Sequence, residues 1–473
     1  MKINLTFLLA VLAFTSVTAT SASRAADVPA KRPNILFIFS DDQRADTIHA
    51  LGNADIETPN LDALVQRGTA FTRAFYMGGM QGAVCVPSRA MLMTGRSLFR
   101  VREQMRDQDT WPQAFGKDGY ETFASGKWHN GPPSLLKSFN AGRSIFLGGM
   151  GNPYQIALND IAPDHTLKPR EHPANKHAVE LIADGVVDFL KTRKTDRPFL
   201  AYIAMDTPHD PRLAPPEYHS KYNAHLPPLP ANYLPQHPFD NGEMLVRDEH
   251  LEYWPRKPEA IRQHLADYYA CITFMDAQIG RILAALKESG QDANTIIVFS
   301  SDQGLAIGSH GLMGKQNLYE DSVRVPLIVA GPGISADKRA DAFVYLLDVF
   351  PTLGELAGVK GPSGSEGISF VPVLTGAAQK SRDGVFSAYR NVQRAVRDER
   401  WKFIRYPQIA TSQLFDLQAD PDEKNDLAAK PEFAEKLKEM QVLLEKRQKE
   451  FGDVCPFTAA TPQKAEWTAP TGK

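Results

Sequence analysis

Three apolar runs limit what this chain can fold into: Asn34–Ser40, residues 197–205 and Thr295–Ser301. None alternates apolar with polar residues, as a strand with one wetted face does. Each therefore reads as a strand buried on both faces, the state of strands in a parallel sheet covered by helices. Each run also ends in groups that carry chemistry: Asp41 and Asp42 after the first, His209 just past the second, Asp302 and Gln303 after the third. A parallel sheet brings such ends to one edge, where open α/β sheets hold their ligands. Adjacent carboxylates repel one another unless a cation lies between them; taken alone, the Asp41–Asp42 pair reads as a turn capping its strand. A shorter run over residues 120–125 delivers Gly126-Lys127-Trp128-His129.

Residues 82–96 read as a glycine-containing loop followed by a helix, with Cys85 at the junction. Pro87 suits the first helical turn, where a missing N–H costs nothing, and Gly95 stops the helix. Cys85 then stands at a helix N-terminus, which favours an anion. Arg89 lies one turn further on and can point back at it. A lone Cys is usually a structural residue, and a Lys or His on a loop is usually solvated surface. Here they occur together with the acidic strand ends.

In this order the segments resemble the motifs of the type I, formylglycine-dependent sulfatases of the alkaline-phosphatase-like superfamily. They are Asp41-Asp42 after a strand, T-P-N-L-D at 58–62, C-x-P-S-R at 85–89 with T-G-R at 94–96, G-K-W-H at 126–129, Asp302 with Gln303, and His310-Gly311 followed by Lys315. The likeness covers nearly all of residues 33–427, and the chain resembles bacterial secreted carbohydrate sulfatases. It implies an α/β fold: a large mixed, mostly parallel sheet sandwiched by helices, with a smaller C-terminal α+β subdomain of antiparallel sheet plus helix.

The resemblance also implies the chemistry. A sulfate ester is hydrolysed to an alcohol and inorganic sulfate by formylglycine, made from Cys85 by a separate maturation enzyme. Asp41, Asp42, Asp302, Gln303 and residue 85 would hold a divalent cation, Ca²⁺ ahead of Mg²⁺, both of which take oxygen donors. Gln303 stands where the family more often has Asn or His, but its amide oxygen suits a hard cation. Lys127 and Lys315 would grip the sulfate and Arg89 would orient the nucleophile. His129 would assist it, and His209 or Lys315 would protonate the leaving oxygen. His310 would contact substrate or brace its loop. The expected substrate is a sulfated saccharide of galactose or N-acetylgalactosamine type. A Pro-dense rim over residues 208–238, carrying Tyr218, His219, Tyr222 and His225, suits a carbohydrate. Two other readings stand beside this one: a phosphonate monoester or phosphodiester hydrolase of the same superfamily, and a non-catalytic sulfoglycan-binding protein in which Cys85 stays a thiol.

Length and composition set the remaining bounds. The chain has 473 residues, enough for more than one domain, and its 43% hydrophobic and 23% charged content is ordinary for a soluble globular protein. A net charge of −2 gives no basic field for nucleic acid or anionic lipid. Lys2, an apolar run over residues 3–14 and small residues up to Ala26 read as a secretory signal peptide, too short to span a bilayer. That predicts a periplasmic or secreted protein with no stable membrane anchor. The three cysteines form no disulfide scaffold, although Cys271 and Cys455 could pair. The expected divisions are a signal peptide (1–26), a catalytic domain (27–360), a subdomain (368–455) and a loose tail (456–473). Residues 130–175 show little periodicity and read as loops around a cleft. Residues 260–287 read as a long helix. Beyond a Gly/Pro/Ser stretch at 358–367, short alternating strands precede a charged helix over residues 432–451.

Overall fold

The first apolar run shows how the fold is built. Every residue of Asn34–Ser40 is buried, and its side chains alternate between two cores. Ile35, Phe37 and Phe39 pack into one, Leu36 and Ile38 into the other. Such a strand needs cover on both sides. The computed structural model, which describes residues 32–194 and 196–470, supplies it. Asn34–Ser40 runs through the middle of a ten-stranded sheet, flanked in parallel by Phe199–Ala204 and Thr295–Ser301. Glu121–Lys127 and then Ala141–Phe146 extend the parallel centre on one side. The antiparallel hairpin Leu158–Ile161 and Leu167–Arg170 completes that side. On the other side Arg324–Ala330 runs antiparallel between Thr295–Ser301 and Gly68–Phe75, and Lys338–Tyr345 closes the sheet. Helices Ala178–Thr192 and Pro258–Glu288 share the core of Leu36 and Ile38. Cys85–Thr94, Trp111–Lys117 and Val349–Ala357 share the core of Phe37. Pro258–Glu288 is long and apolar enough to cross a membrane, but 67% of its apolar window is buried inside the fold, as in a core helix.

The smaller sheet has the antiparallel strands Val385–Tyr389, Gln393–Arg397, Trp401–Tyr406 and Thr411–Asp416, with helix Ala434–Phe451 following in the chain. Its fifth strand comes from far away. Gly78–Gly79, a few residues before Cys85, pairs in parallel with Val385–Tyr389. Gly78 has a φ of +108°, and a Cβ there would stand 1.9 Å from the Ala388 carbonyl oxygen. Only glycine fits, so the loop leading to Cys85 is fastened to the second sheet at this point. Gly78→Ala is expected to cost about 2–4 kcal/mol of stability, read as a lower denaturation midpoint. An unchanged midpoint would show that the bridge contributes nothing.

Several expectations need correction. Residues 130–175 are not only loops: they contain helix Pro132–Ser138 and three strands of the main sheet. Those strands are short and leave polar side chains exposed, which hides their period. The tail is not loose over its described part. The Arg405 guanidinium lies 4.1 Å from the Phe457 ring centroid while its Nε donates to the Phe457 carbonyl, and Trp467 packs on Trp254. The Gly/Pro/Ser stretch at 358–367 is docked too, with the Glu366 N–H bonded to the Gly95 carbonyl at 2.7 Å. Cys271 and Cys455 are both free thiols. The expected signal peptide lies outside the described residues.

Candidate active site

The strand ends meet as the parallel sheet requires. Asp41 and Asp42 leave Asn34–Ser40, Lys127 ends Glu121–Lys127, His209 follows Phe199–Ala204, and Asp302 and Gln303 follow Thr295–Ser301. Helix Cys85–Thr94 brings Cys85 to the same edge. Pro87 lies in its first turn, and Gly95, at φ +68°, closes it by donating to the Met91 carbonyl. Two neighbours fix the helix start: Ser88 Oγ donates to the Asp302 carbonyl at 2.6 Å, and Asn130 Nδ2 donates to the Val86 carbonyl at 2.9 Å. This explains the Ser of the C-x-P-S-R run, whose role was not evident from the sequence.

Three carboxylates and three cations are interleaved below Cys85. Lys127 pairs with Asp41. Lys315 Nζ lies 2.7 Å from both oxygens of Asp42. Arg89 Nη2 is 2.9 Å from Asp302 Oδ2 and 3.7 Å from Asp41 Oδ2. All six groups are almost fully buried. Burial disfavours the Asp41 charge, but Lys127, His209, Arg89 and Lys315 outweigh it and hold its carboxyl well below the usual range. Burial and the nearby Asp41 charge push Asp302 the other way. Lys315, although buried, is held well above its ordinary value by Asp42.

The same atoms fit a hard cation. Asp41 Oδ1 and Gln303 Oε1 are buried without a hydrogen-bond partner among the described residues, while Gln303 Nε2 reaches Asp42. Ligand atoms of Asp41, Cys85 and Asp302 lie within 4.8 Å of one another, as do those of Asp41, Asp42 and His209. Unpaired buried oxygens among crowded carboxylates are what a divalent cation satisfies. The expected set of Asp41, Asp42, Cys85, Asp302 and Gln303 is thus brought together, and His209 joins its margin.

The two histidines flank the reactive position. His129 Nδ1 is 3.1 Å from Cys85 Sγ. Burial, reinforced by Lys127 and Arg89, pushes His129 down to about 3, so its ring is neutral at physiological pH. Its backbone is in the left-handed region, at φ +67°, as is that of Asp42; non-glycine residues there often mark functional sites. His209 Nδ1 is 2.8 Å from the Asp210 carbonyl, which aims Nε2 toward Asp42 Oδ2 at 3.7 Å.

Two expected roles change, and of the two alternatives for His310 the structure supports loop bracing. Arg89 does not point back at Cys85. Its guanidinium binds Asp302 and the Lys127 carbonyl, so it positions those groups. His310 is not at the cleft: its ring stacks on Tyr319 at 3.7 Å and Nε2 meets the Asn232 amide, so it braces its loop. Three of the four rim residues turn inward onto the long helix, Tyr218 against Phe274, His219 on Asp267 and Tyr222 on Thr273, while His225 is exposed. The cleft, of about 310 Å³, is walled by other residues: Gly82, Ala83, Gly149, Met150, Val246, Arg247, Asp248 and Gln316, with Cys85, His129, His209 and Lys315. Sequence reasoning reached this wall only in part. Gly82 and Ala83 do lie in the loop before Cys85, and Gly149 and Met150 in the segment read as loops around a cleft, but Val246, Arg247, Asp248 and Gln316 carried no such signal. Gly149 has a steric reason to be glycine, since a Cβ there would stand 2.5 Å from His129 Nε2.

Known proteins are similar to this chain over most of its length. The sulfatase family model matches residues 33–359, and that of the N-sulphoglucosamine sulphohydrolase C-terminal region matches 308–450. An N-acetylglucosamine-6-O-sulfatase of Bacteroides thetaiotaomicron is 28% identical, over 96% of this chain and 93% of that one. A choline-sulfatase of Rhizobium meliloti is 29% identical, over 85% and 83%. A solved structure in complex with its substrate D-glucosamine-2-N,6-O-disulfate superposes with a TM-score of 0.76 at 27% identity, covering 90% of this chain and 99% of that one. The fold is also shared with a phosphonate monoester hydrolase of Agrobacterium radiobacter, at a TM-score of 0.68 and 23% identity over 89% and 96%.

Proposed function

Since the chain belongs to the sulfatase family, we propose that it removes sulfate from a sulfated sugar with a nucleophile formed at Cys85 and a divalent cation, Ca²⁺ ahead of Mg²⁺, held by Asp41, Asp42, Asp302 and Gln303. The observation that carries this reading is the single floor on which Cys85, His129, three carboxylates and three cations meet. A cleft of about 310 Å³ is at the small end of ligand sites and suits one sugar unit. The leader expected over residues 1–26 supports export to the periplasm or beyond.

The three carboxylates and three cations balance. When bound, a divalent cation polarises sulfate oxygens and makes this floor net positive. Once converted, position 85 supplies a hydrated aldehyde, with one hydroxyl to attack sulfur and a second through which sulfate is expelled. The chain's own residues do the rest. Cys85 Sγ marks the place of the attacking oxygen, and the neutral His129 Nδ1 beside it can accept a proton. Lys127, at the end of a strand, and Lys315, on a loop, stabilise charge on the sulfate oxygens, an effect worth about 3–4 kcal/mol per donor in such sites. Arg89 keeps Asp302 and the Lys127 carbonyl in register. His209 Nε2 faces this floor; because Nδ1 meets the Asp210 carbonyl and so carries a proton, Nε2 can hand a proton to the leaving oxygen only from the imidazolium form, which burial and the nearby Lys315 disfavour.

General acid catalysis matters most for a poor leaving group. His209→Ala is expected to lower kcat/KM by about 10²-fold on a sugar sulfate and much less on an activated aryl sulfate. Equal losses on both would remove His209 from that role. The function itself is tested by sulfate release from a panel of sulfated monosaccharides. It should begin with 6-O-sulfated N-acetylglucosamine, the ester named for the relative above, and include galactose and N-acetylgalactosamine sulfates. Faster release from a matched phosphonate monoester would overturn the assignment.

A further inference from the structure

The wall of the cleft contains a built hydrogen-bonding unit that the chemistry above does not use. Asp248 lines the cleft beside Lys315 and Gln316, and its side chain is only 8% exposed. Each of its oxygens is held once. Oδ1 accepts from Arg247 Nη1 at 2.7 Å, and Oδ2 accepts from Gln316 Nε2 at 2.9 Å. A carboxylate has about four acceptor positions, so both oxygens keep capacity for a ligand. Gln316 is fixed in turn, since Nε2 also donates to the Gly82 carbonyl at 2.9 Å and Oε1 accepts from the Lys315 N–H at 3.1 Å. Asp248 is therefore registered to the loop before Cys85 and to Lys315. Beside it, Val246 and Met150 offer apolar surface, and Met150 is half-exposed.

Charge adds a second constraint. Arg247 pairs with Asp210, Nη1 to Oδ1 at 2.9 Å, as well as with Asp248. Lys315 also acts on Asp248, and Arg212 on Asp210. Asp248 is the carboxylate that lines the cleft itself, whereas the floor beneath Cys85 is balanced and gains charge with a divalent cation. An anion finds cations on the floor, whereas a second anion placed directly against the Asp248 carboxylate meets like charge.

Resting on the sugar-sulfatase reading, we infer that Asp248, braced by Arg247 and Gln316, reads a sugar hydroxyl beside the sulfate ester and selects against a second anion there. The hydroxyl donates to the free acceptor positions of the carboxylate, the sugar's C–H face lies on Val246 and Met150, and the single sulfate points to the floor. A site built to hydrogen-bond a substrate hydroxyl discriminates strongly against analogues that lack it, because its own buried polar groups are then left unpaired.

The test is a cycle of enzyme and substrate variants. Wild type and D248N are compared on a preferred sulfated monosaccharide, on its monodeoxy analogues, on a disulfated form and on an aryl sulfate. D248N should lose at least about 10-fold more kcat/KM on the sugar than on the aryl sulfate. Wild type should lose about 10-fold or more when one hydroxyl near the ester is removed, and D248N should lose far less from that removal. D248N should also narrow the preference for the monosulfated over the disulfated sugar. If D248N does not fold, the deoxy and disulfated series on wild type still decide: no sensitive hydroxyl, or a preference for the disulfated form, overturns the inference. Equal losses of D248N on sugar and aryl sulfates would mean a structural role and also overturn it. A wild type active on aryl sulfates but inactive on every sulfated sugar would overturn the substrate reading and this assignment with it. A wild type active on sugars with the same hydroxyl pattern as D248N would overturn this assignment alone.

Discussion

Cys85→Ala is expected to lower turnover of sulfate esters by on the order of 10⁶-fold, the scale seen when a hydrolase loses its nucleophile. The variant keeps Lys127, Lys315, Arg89 and all three carboxylates, so it should still bind sulfated ligands. What remains is the modest acceleration that binding and electrostatics provide alone. The unconverted thiol should do little better. Burial pushes the Cys85 thiol up to about 11, even though Lys127 and Lys315 pull the other way. At neutral pH it is therefore protonated, and the thiol form is not a nucleophile. A preparation in which Cys85 is never oxidised should thus resemble Cys85→Ala in turnover. The check is kcat/KM of Cys85→Ala against wild type, with equal thermal midpoints to show an intact fold. Activity within tenfold of wild type would remove residue 85 from the chemistry.

Stripping the divalent cation is expected to have the next largest effect, about 10⁴-fold or more in kcat/KM. The magnitude follows from several kcal/mol of charge stabilisation at the sulfate oxygens, at about 1.4 kcal/mol per tenfold. Asp41 Oδ1 and Gln303 Oε1 are buried with no partner among the described residues, and Asp302 is forced upward by burial and by Asp41. Adding back Ca²⁺ should restore activity, and Mg²⁺ should restore less, because it demands a tighter octahedral shell than this spread of donors suggests. Asp302→Asn should raise the Ca²⁺ concentration needed for recovery, since it removes one carboxylate and loosens Arg89. Unchanged activity in protein shown by elemental analysis to hold no divalent metal would contradict this part of the account.

The centre of the sheet and the catalytic floor were legible in the sequence, while the substrate wall was legible only in part. Asn34–Ser40, Phe199–Ala204 and Thr295–Ser301 announce themselves because a strand buried on both faces is apolar throughout. The polar residues that follow them must then share an edge, which places Asp41, Asp42, His209, Asp302 and Gln303 together from the sequence alone. Pro87 and Gly95 gave both ends of the Cys85 helix. By contrast, Arg247 and Asp248 sit in a short 3₁₀ turn with no periodic pattern, and Met150 lies in an irregular loop. Long-range placement, not local propensity, brings them to the cleft. His310 is the opposite case, with two roles left open by the sequence. Its motif is local and recognisable, but stacking on Tyr319, nine residues away, directs its ring into the protein. Gly78 carried a signal, a Gly-Gly pair before the Cys85 loop, that became meaningful only once Ala388 was seen against it.

The most direct test is mass spectrometry of the peptide that contains Cys85, taken from protein whose specific activity has been measured. The account predicts the mass of an aldehyde or its hydrate at position 85, in a fraction that rises in proportion to activity across preparations. A fully active preparation in which that peptide carries only the free thiol would contradict it.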